Sequence, residues 1–412
     1  MATAYSGSAT PDTDLVTDYL RLGLAFDRLE EGFVDAYTGD PALRAEVAGG
    51  PAPEPAALAD RARGLRSELP AGLTPDRAAF VDAHLRALEC SARKFAGESI
   101  GFVDEVRAYF DVDIAPADTD DYRKAHGELA SALGVPDATG PALSDAYATY
   151  RRADEIPPER VDECVRAFSG ALRERVRDVF PLADNEIVEF EVVTDKPWSG
   201  FNYYLGNYRS RVAINADLTQ YMSSLPHLIA HEAYPGHHTE HCRKEQILVG
   251  GGQTEQTIFL VNTPQCLMAE GLADHALHAA IGDNWGLWAQ EIYADLGLRF
   301  DGERAQRVGA ASSGLLTVRQ DAALMLHDAH LDADVVAGFL QRWLLAPSER
   351  ARQMLRFLTS PLWRAYISTY VEGYRLLGEW LEQVPQDARL ARFGRLLDEP
   401  LTPALLRAEL GQ

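Results

Sequence analysis

Five histidines crowded around a proline-glycine pair constrain this chain more than any other feature of its sequence. Residues 231–240 read HEAYPGHHTE, and fifteen consecutive positions hold five of the chain's 11 histidines: His227, His231, His237, His238 and His241. The segment opens like the pattern H-E-x-x-H, in which two histidines on one face of a helix bind zinc. Pro235 stands where the second of those histidines belongs. The sequence therefore contains either a broken metal site or an intact site with different spacing.

Helix geometry decides which histidines can meet. On a regular helix His231 and His237 would point about 120° apart, because each residue turns the helix by roughly 100°. Histidines four positions apart, such as His227 and His231, would share a face instead. Pro235 changes this geometry, since it cannot donate to the carbonyl of His231 and its ring clashes there. We therefore expect the helix to kink after His231 and to bring His237 beside it.

Length and composition favour a globular protein with a large core. The chain has 412 residues, of which 46% are hydrophobic and 25% are charged, and helical enzymes of this length often form one unit. We predict a single helical domain over residues 1–412, with an N-terminal helical part at 1–180 and a metal-site part at 181–412. The net charge of -23 argues against nucleic acid and membranes as partners.

Cysteine usage and hydropathy predict a cytoplasmic protein. The four cysteines are scattered without C-x-x-C spacing, at Cys90, Cys164, Cys242 and Cys266. This pattern suits a reduced compartment better than a disulfide scaffold. The first residues, MATAYSGSATPDTD, hold no basic segment followed by an apolar one, so we expect no secretory signal. We find no apolar run of ~18 residues and predict no membrane span.

Apolar residues spaced three and four positions apart predict helices over most of the chain. The segments with this spacing lie near 14–37, 54–69, 75–98, 119–134, 140–153 and 158–179. EIVEFEVV, SGFNYYL and SRVAINA between residues 186 and 216 are rich in β-branched and aromatic residues, which predicts a small antiparallel sheet. A helix should then begin near Leu218, with Asp217 as its N-cap. The predicted fold is mainly α, with a small sheet preceding the metal-binding helix.

The histidine segment resembles the motif of one bacterial protein family. The motif H-E-x-Y/L/F-P-G-H-H/N, followed later by E-G, is typical of the bacterial domain-of-unknown-function-885 family, which is grouped with the helical gluzincin-type metallopeptidases. The matching residues are His231, Glu232, Tyr234, Pro235, Gly236, His237 and His238. Glu270-Gly271 matches the E-G segment, although Leu272 stands where the family has Trp. A C-terminal block matches at Arg356, Pro361, Tyr370 and Gly373, so the resemblance spans roughly residues 185–375.

The resemblance implies a gluzincin-like fold with a substrate cleft between helical halves, and one Zn²⁺ ion per chain. Other divalent metals are alternatives. A catalytic zinc has three protein ligands and one open position, and the matching residues imply His231, His237 and Glu270. Glu270 lies among apolar and small residues, where a carboxylate needs a partner. The histidines that remain alternative ligands are His227, His238, His241, His275 and His278.

The same resemblance implies the catalytic residues. Glu232 would be the general base that takes a proton from the attacking water. Hydrolysis also needs a hydrogen-bond donor to the oxyanion, and the C-terminal block offers Tyr370, Tyr366 and Arg356. Of these we favour Tyr370. Asp274 follows the predicted carboxylate ligand by one helical turn and could orient a histidine ligand through its second ring nitrogen.

These features favour a zinc-dependent metallopeptidase that cleaves peptides, or a hydrolase of another amide. Two alternatives remain. Two histidines and one carboxylate also form the site of non-haem iron enzymes, although Glu232 would have no obvious role there. A non-catalytic protein could instead keep the metal for stability, with a fourth ligand from the spare histidines.

Overall fold

A computed structural model describes residues 11–194, 200–215 and 218–412. The N-terminal part is a succession of helices interrupted by one short strand. Its elements are α1 (Pro11–Phe26), β1 (Val34–Tyr37), α2 (Pro41–Gly49), α3 (Pro55–Gly72), α4 (Pro75–Phe95), α5 (Phe102–Phe110), α6 (Thr119–Ala132), α7 (Gly140–Ala153) and α8 (Val161–Arg177). The predicted mainly α fold class is confirmed.

Prolines and acidic caps determine where several of these helices begin. α2, α3 and α4 each start with a proline, whose missing N–H would have no partner in the first turn. Asp40 caps α2 by accepting a hydrogen bond from the backbone N–H of Ala42 at 2.8 Å. Asp118 caps α6 in the same way, through the N–H of Asp120 at 2.9 Å.

Most of the predicted N-terminal helices are present, with one correction. The helices predicted near 54–69, 75–98, 119–134, 140–153 and 158–179 correspond to α3, α4, α6, α7 and α8. The prediction near 14–37 is wrong beyond Phe26, where α1 ends. A turn with Gly32 at φ +86° follows, and β1 then pairs antiparallel with a strand more than 200 residues away. The pairing of β1 with this distant strand therefore prevails over the helical spacing of the local apolar residues.

The second part of the chain contains the three-stranded sheet and the remaining helices. Its elements are β2 (Ile187–Val193), β3 (Gly200–Gly206), β4 (Arg209–Asn215), α9 (Leu225–Glu232), α10 (His237–Lys244), β5 (Ile258–Leu260), α11 (Pro264–Ile281), α12 (Trp285–Asp295), α13 (Gly302–Ser313), α14 (Val318–His327), α15 (Ala333–Leu344), α16 (Ser348–Thr359), α17 (Tyr374–Glu382), α18 (Gln386–Asp398) and α19 (Pro403–Leu410). A π-helical segment, Thr369–Gly373, runs directly into α17.

The predicted sheet is present immediately before the histidine segment. Its strand order is β2-β4-β3. β3 and β4 form the expected antiparallel pair, whereas β2 runs parallel to β4, so the sheet is mixed. β4 is the central strand, and Val212 and Ile214 of β4 are buried. The two-stranded sheet of β1 and β5 is separate and antiparallel.

The helix that carries His231 begins later than the sequence predicts. Its expected N-cap, Asp217, lies outside the described residues, and α9 begins at Leu225 rather than near Leu218. Residues 220–222 are extended and pair with residues 154–156. The backbone N–H of Met222 donates to the carbonyl of Asp154 at 2.7 Å, and the N–H of Ile156 donates to the carbonyl of Gln220 at 2.9 Å. These tertiary hydrogen bonds replace the first helical turns.

One hydrophobic core joins both parts of the chain, and α11 lies at its centre. The cluster extends from Leu15 of α1 to Leu406 of α19. Every residue of α11 from Pro264 to Ala273 is buried, so a carboxylate on this stretch lies in the interior. The four cysteines are free and buried. Within the described ranges, no helix is both long and apolar enough to cross a membrane.

Candidate metal centre

The chain breaks its helix just after His231, as Pro235 predicts. α9 ends at Glu232, the Tyr234–Pro235 peptide bond is cis, and α10 begins at His237. Gly236 makes this close turn feasible, because a β-carbon on it would lie 1.9 Å from the carbonyl oxygen of His231. The break brings the rings of His231 and His237 together, with centroids 4.7 Å apart and planes at 87°.

Three side chains converge at this break. One ligand atom from each of His231, His237 and Glu270 lies within 4.8 Å of the other two. His231 Nε2 is 3.2 Å from Glu270 Oε2, and His237 Nε2 is 3.9 Å from Glu270 Oε1. The structure thus places together the three residues that the sequence suggests as metal ligands. They come from three helices, α9, α10 and α11.

The carboxylates around the two histidines, one in a hydrogen bond and one at a longer distance, leave the inner atoms of these side chains free for a metal. His231 Nδ1 lies 3.0 Å from Asp274 Oδ1, and His237 Nδ1 lies 3.9 Å from Glu240 Oε2. Each Nε2 therefore points inward while the other nitrogen faces a carboxylate, the usual arrangement of metal-binding histidines. Glu270 Oε2 is buried without a hydrogen-bond partner, which is costly unless a cation occupies the site. These donors fit a divalent metal such as zinc.

Glu270 is fixed from its other side by a tyrosine. The Tyr366 hydroxyl donates to Glu270 Oε1 at 2.7 Å. Burial tends to raise the pKa of Glu270, but the proximity of His231 and the charges of both histidines outweigh it, and the pKa is lowered. Glu270 is therefore held as a carboxylate, the form that binds a metal.

Glu232 faces the same space and has the environment of a proton acceptor. Its side chain is buried, and burial raises its pKa against the opposing effect of His231 and His237. The start of β3 lies against it, because a β-carbon on Gly200 would lie 3.1 Å from Glu232 Oε1. Asn202 Nδ2 donates to the Glu232 backbone carbonyl at 2.6 Å. β3 therefore supports the last residue of α9.

The C-terminal block supplies one free tyrosine near the site. Burial, followed by the charges of Glu270 and Asp274, raises the pKa of Tyr370 well above its usual value, so its hydroxyl stays protonated. No residue in the described ranges holds that hydroxyl in a hydrogen bond, in contrast to Tyr366. The ring centroids of the two tyrosines are 5.8 Å apart. Of these two tyrosines, Tyr370 is therefore the one whose hydroxyl is not committed to a described residue.

A close backbone contact positions Tyr370 relative to α11. Gly373, at the end of the π-helical segment, packs directly on Gly271, the residue after Glu270. A β-carbon on Gly271 would lie 2.6 Å from the Gly373 carbonyl oxygen, and one on Gly373 would lie 2.6 Å from the Leu267 carbonyl oxygen. The E-G pair of the sequence thus combines Glu270, a candidate metal ligand, with the glycine that lets the π-helical segment of Tyr370 approach (Thr369–Gly373, below called the tyrosine segment).

Arg356, the remaining sequence candidate, is not brought to this site. Its side chain is exposed on α16. The arginine that interacts electrostatically with Tyr370 and Asp274 is Arg319 of α14. α14 is tied to the tyrosine segment by a hydrogen bond from Gln320 Nε2 to Glu372 Oε1 at 2.7 Å.

His238 belongs to a buried network behind the site. Its Nε2 lies 3.0 Å from Glu186 Oε2 and its Nδ1 lies 2.8 Å from Ser210 Oγ. Tyr234 donates to the same Glu186 oxygen at 2.8 Å, and Arg173 pairs with Oε1 at 2.6 Å. Both nitrogens of His238 are thus in use, and the network anchors the turn between α9 and α10 to the sheet.

The other histidines and the nearby cysteine have packing partners. His227 meets the Trp285 ring edge-on at 4.5 Å, and His241 stacks on Tyr204 at 4.6 Å. His275 Nε2 lies 2.8 Å from the carbonyl oxygen of Tyr374. His278 lies 6.0 Å from the His227 ring, and Cys242 packs against His238. None of these belongs to the metal-binding group of the described residues.

Comparisons with known proteins support the fold and leave the family open. Neither a family profile nor a curated protein matches the sequence. The fold is similar to that of a candidate lipoprotein from Colwellia psychrerythraea. The TM-score is 0.55 at 15% identity, covering 86% of this chain and 66% of that one. This chain therefore spans 66% of the length of the Colwellia protein.

Two further solved structures resemble the chain more weakly. One is a candidate lipoprotein of unknown function from Shewanella oneidensis, with a TM-score of 0.49 and 13% identity over 98% of this chain and 73% of that one. The other is metallocarboxypeptidase 1 of Trypanosoma cruzi, with a TM-score of 0.48 and 14% identity over 95% of this chain and 93% of that one.

Sequence reasoning missed three charged residues near the metal-binding group. Glu240 lies one turn after His237 and pairs with Lys244 at 2.5 Å, and that spacing was visible in the sequence. Asp35 and Arg319 come from distant segments, β1 and α14. Nothing local distinguishes them from surface residues, so only the tertiary structure could find them.

Proposed function

We propose that this protein is a zinc-dependent hydrolase, and specifically a metallopeptidase that cleaves peptide bonds. The observation that supports it is the convergence of two histidines and a carboxylate with an additional buried carboxylate, Glu232, beside them. One zinc ion per chain would be held by His231, His237 and Glu270. The proposal includes the relationship to gluzincin-type peptidases that the sequence motif implies, with the substrate in a cleft between the helical parts.

Each residue has a distinct role in this proposal. The bound metal would supply Lewis acidity and make water acidic enough to ionise near neutral pH, from a pKa of about 15.7 towards ~7. Glu232 accepts the proton of the attacking water and later delivers it to the leaving amine. Tyr370 donates a hydrogen bond to the carbonyl oxygen as negative charge develops there. Asp274, Glu240 and Tyr366 orient the three ligands.

The arrangement favours hydrolysis over the two alternatives. A structural zinc site is closed by four protein ligands, whereas the metal-binding group of the described residues contains three. His238, the nearest spare histidine, is committed to Glu186 and Ser210. A non-haem iron oxygenase would have the same three ligands but no use for Glu232. Glu232, a proton acceptor beside the metal-binding group, is therefore the residue that favours a hydrolase over both alternatives.

Replacing Tyr370 with phenylalanine should lower kcat by about 10²- to 10³-fold with little change in KM, because the lost hydrogen bond forms mainly in the transition state. Steady-state kinetics on a cleaved peptide would measure this. Tyr366→Phe is the matched comparison, since it removes a hydroxyl that holds Glu270 and should weaken metal binding instead. An unchanged kcat in Tyr370→Phe would remove this tyrosine from the mechanism.

The direct test of the proposed function is a peptide-library digestion with three samples of the purified protein. They are zinc-loaded, treated with chelator, and treated with chelator and then reloaded with zinc. Cleavage products analysed by mass spectrometry should appear in the first and third samples and be absent from the second. Absence of zinc binding after reconstitution would refute the proposal. Oxygen-dependent turnover with bound iron would replace it with the oxygenase alternative.

A further inference from the structure

Asp35 lies on β1 at an irregularity that redirects its side chain. Val34 pairs with Leu260 and Ala36 pairs with Phe259, so Asp35 is an extra residue opposite two consecutive positions of β5. A β-bulge of this kind leaves one residue out of the ladder and re-aims its side chain, often beside an active site. Val34 and Ala36 are buried in the core, whereas Asp35 is half-buried.

The Asp35 carboxylate lies beside the proposed metal centre. Its charge interacts with His237, Glu270 and Glu232, and it also acts on Cys266, which lies one turn before Glu270 on α11. It also acts on Tyr203 of β3, the strand against which β1 packs. The carboxylate is therefore within electrostatic range of β3, of α11 and of the break between α9 and α10.

Among the described residues, none forms an ion pair or a hydrogen bond with this carboxylate. No hydrogen-bond donor and no basic side chain of the described ranges contacts it, and Glu232 and Glu270 add like charge. Burial, reinforced by these two glutamates, raises its pKa to about 7 against the opposing effect of His237. A partly buried carboxylate without a partner is costly to maintain. Buried carboxylates elsewhere in the chain do have arginine partners, as Glu255 has Arg77 at 2.7 Å and Glu186 has Arg173 at 2.6 Å.

The metal does not provide that partner. The group that can share one ion contains His231, His237 and Glu270, with ligand atoms within 4.8 Å of one another, and Asp35 is outside it. A single zinc with three protein ligands needs its remaining position for water. A cation that pairs directly with Asp35 would then come from outside the protein, and a substrate bound beside the metal would bring it there.

We infer that Asp35 binds an ammonium group of the substrate, so that the enzyme prefers peptides with a positive charge close to the bond it cleaves. This inference rests on the proposed peptidase function and specifies its substrate class. An ammonium group can come from the free N-terminus of a peptide or from a lysine side chain. Both would form a charge-assisted hydrogen bond with the Asp35 carboxylate, and the experiment below separates them.

Binding is measured first, independently of hydrolysis. In the Glu232→Gln background, calorimetric titration compares tetra-alanine with its N-acetylated form and with an N-acetylated peptide containing one lysine. We expect at least one ammonium-bearing peptide to bind tighter than acetylated tetra-alanine by about 10- to 100-fold, the range for a charged hydrogen bond. Adding Asp35→Asn should abolish that preference and leave the affinity for acetylated tetra-alanine unchanged.

The binding experiment has a matched control variant and two results that would overturn the inference. Asp137→Asn makes the same chemical change at an exposed loop position and should leave the preference intact. Equal affinity of all three peptides for the protein with Asp35 intact would overturn the inference, without relying on any variant's folding. Loss of zinc from Asp35→Asn, measured by metal analysis, would overturn it in favour of a ligand role. If Asp35-dependent ammonium binding occurs but no peptide is ever hydrolysed, the inference stands and the proposed function fails.

Discussion

Replacing Glu232 with glutamine is expected to reduce peptide hydrolysis by about 10²- to 10⁴-fold, the contribution of a positioned general base, while the protein keeps its zinc. Glutamine has nearly the same shape but cannot accept the proton. The three ligands are unchanged, so the metal stoichiometry should stay at one per chain. Because burial already raises the pKa of Glu232, the neutral amide should also fold without penalty.

Two measurements on the same samples decide this prediction. Metal content is determined by atomic spectroscopy, and cleavage is followed on a peptide identified in the library screen. Glu174→Gln, an identical change at an exposed position of α8, is the control and should match the parent protein in both assays. Retained cleavage in Glu232→Gln would show that this carboxylate is not the base. If the variant loses its zinc as well, Glu232 has to be reassigned as a ligand.

The second large effect is expected from His237→Ala. Changes to residues that merely orient a ligand typically cost about 10- to 100-fold in metal affinity, and loss of the ligand itself should cost more. We expect no stoichiometric zinc in the purified variant and no hydrolysis. The fold should remain, because the network of His238 with Glu186 holds the turn independently.

Zinc titration of the chelator-treated proteins tests this prediction, with circular dichroism as the check on folding. His330→Ala is the matched control, since His330 is exposed in the loop between α14 and α15. It should bind zinc as the parent does. Stoichiometric zinc in a folded His237→Ala protein would show that the re-spaced motif is not the metal site. The candidates that would then replace it are His227 and His238.

The features that the sequence predicted well are those controlled by local physics. Helical periodicity located α3, α4, α6, α7 and α8, because each buries one face along a continuous segment. The break after His231 follows from Pro235 alone, since a proline cannot complete the hydrogen bond to the carbonyl four residues earlier. That break is also why His231 and His237, separated by six positions, could be proposed to meet.

The features that the sequence missed depend on contacts between distant segments. β1 is four residues long and pairs with β5 across more than 200 positions, so no local pattern marks it or Asp35. The start of α9 was placed too early because hydrogen bonds to residues 154–156 hold the preceding segment extended. Arg356 matched a family block in sequence, yet the structure exposes it and brings Arg319 near Tyr370 instead.

The contact between Gly271 and Gly373 bears on how this protein can move. With the two backbones already at closest approach, neither α11 nor the tyrosine segment can slide along the other without a clash. Glu270 and Tyr370 should therefore travel as parts of one rigid body in any motion of the helices around the site. Any hinge has to lie in other segments, so structures of this protein in different states should share one Glu270–Tyr370 separation. An entry path to the proposed metal could then widen while the Glu270–Tyr370 distance stays fixed.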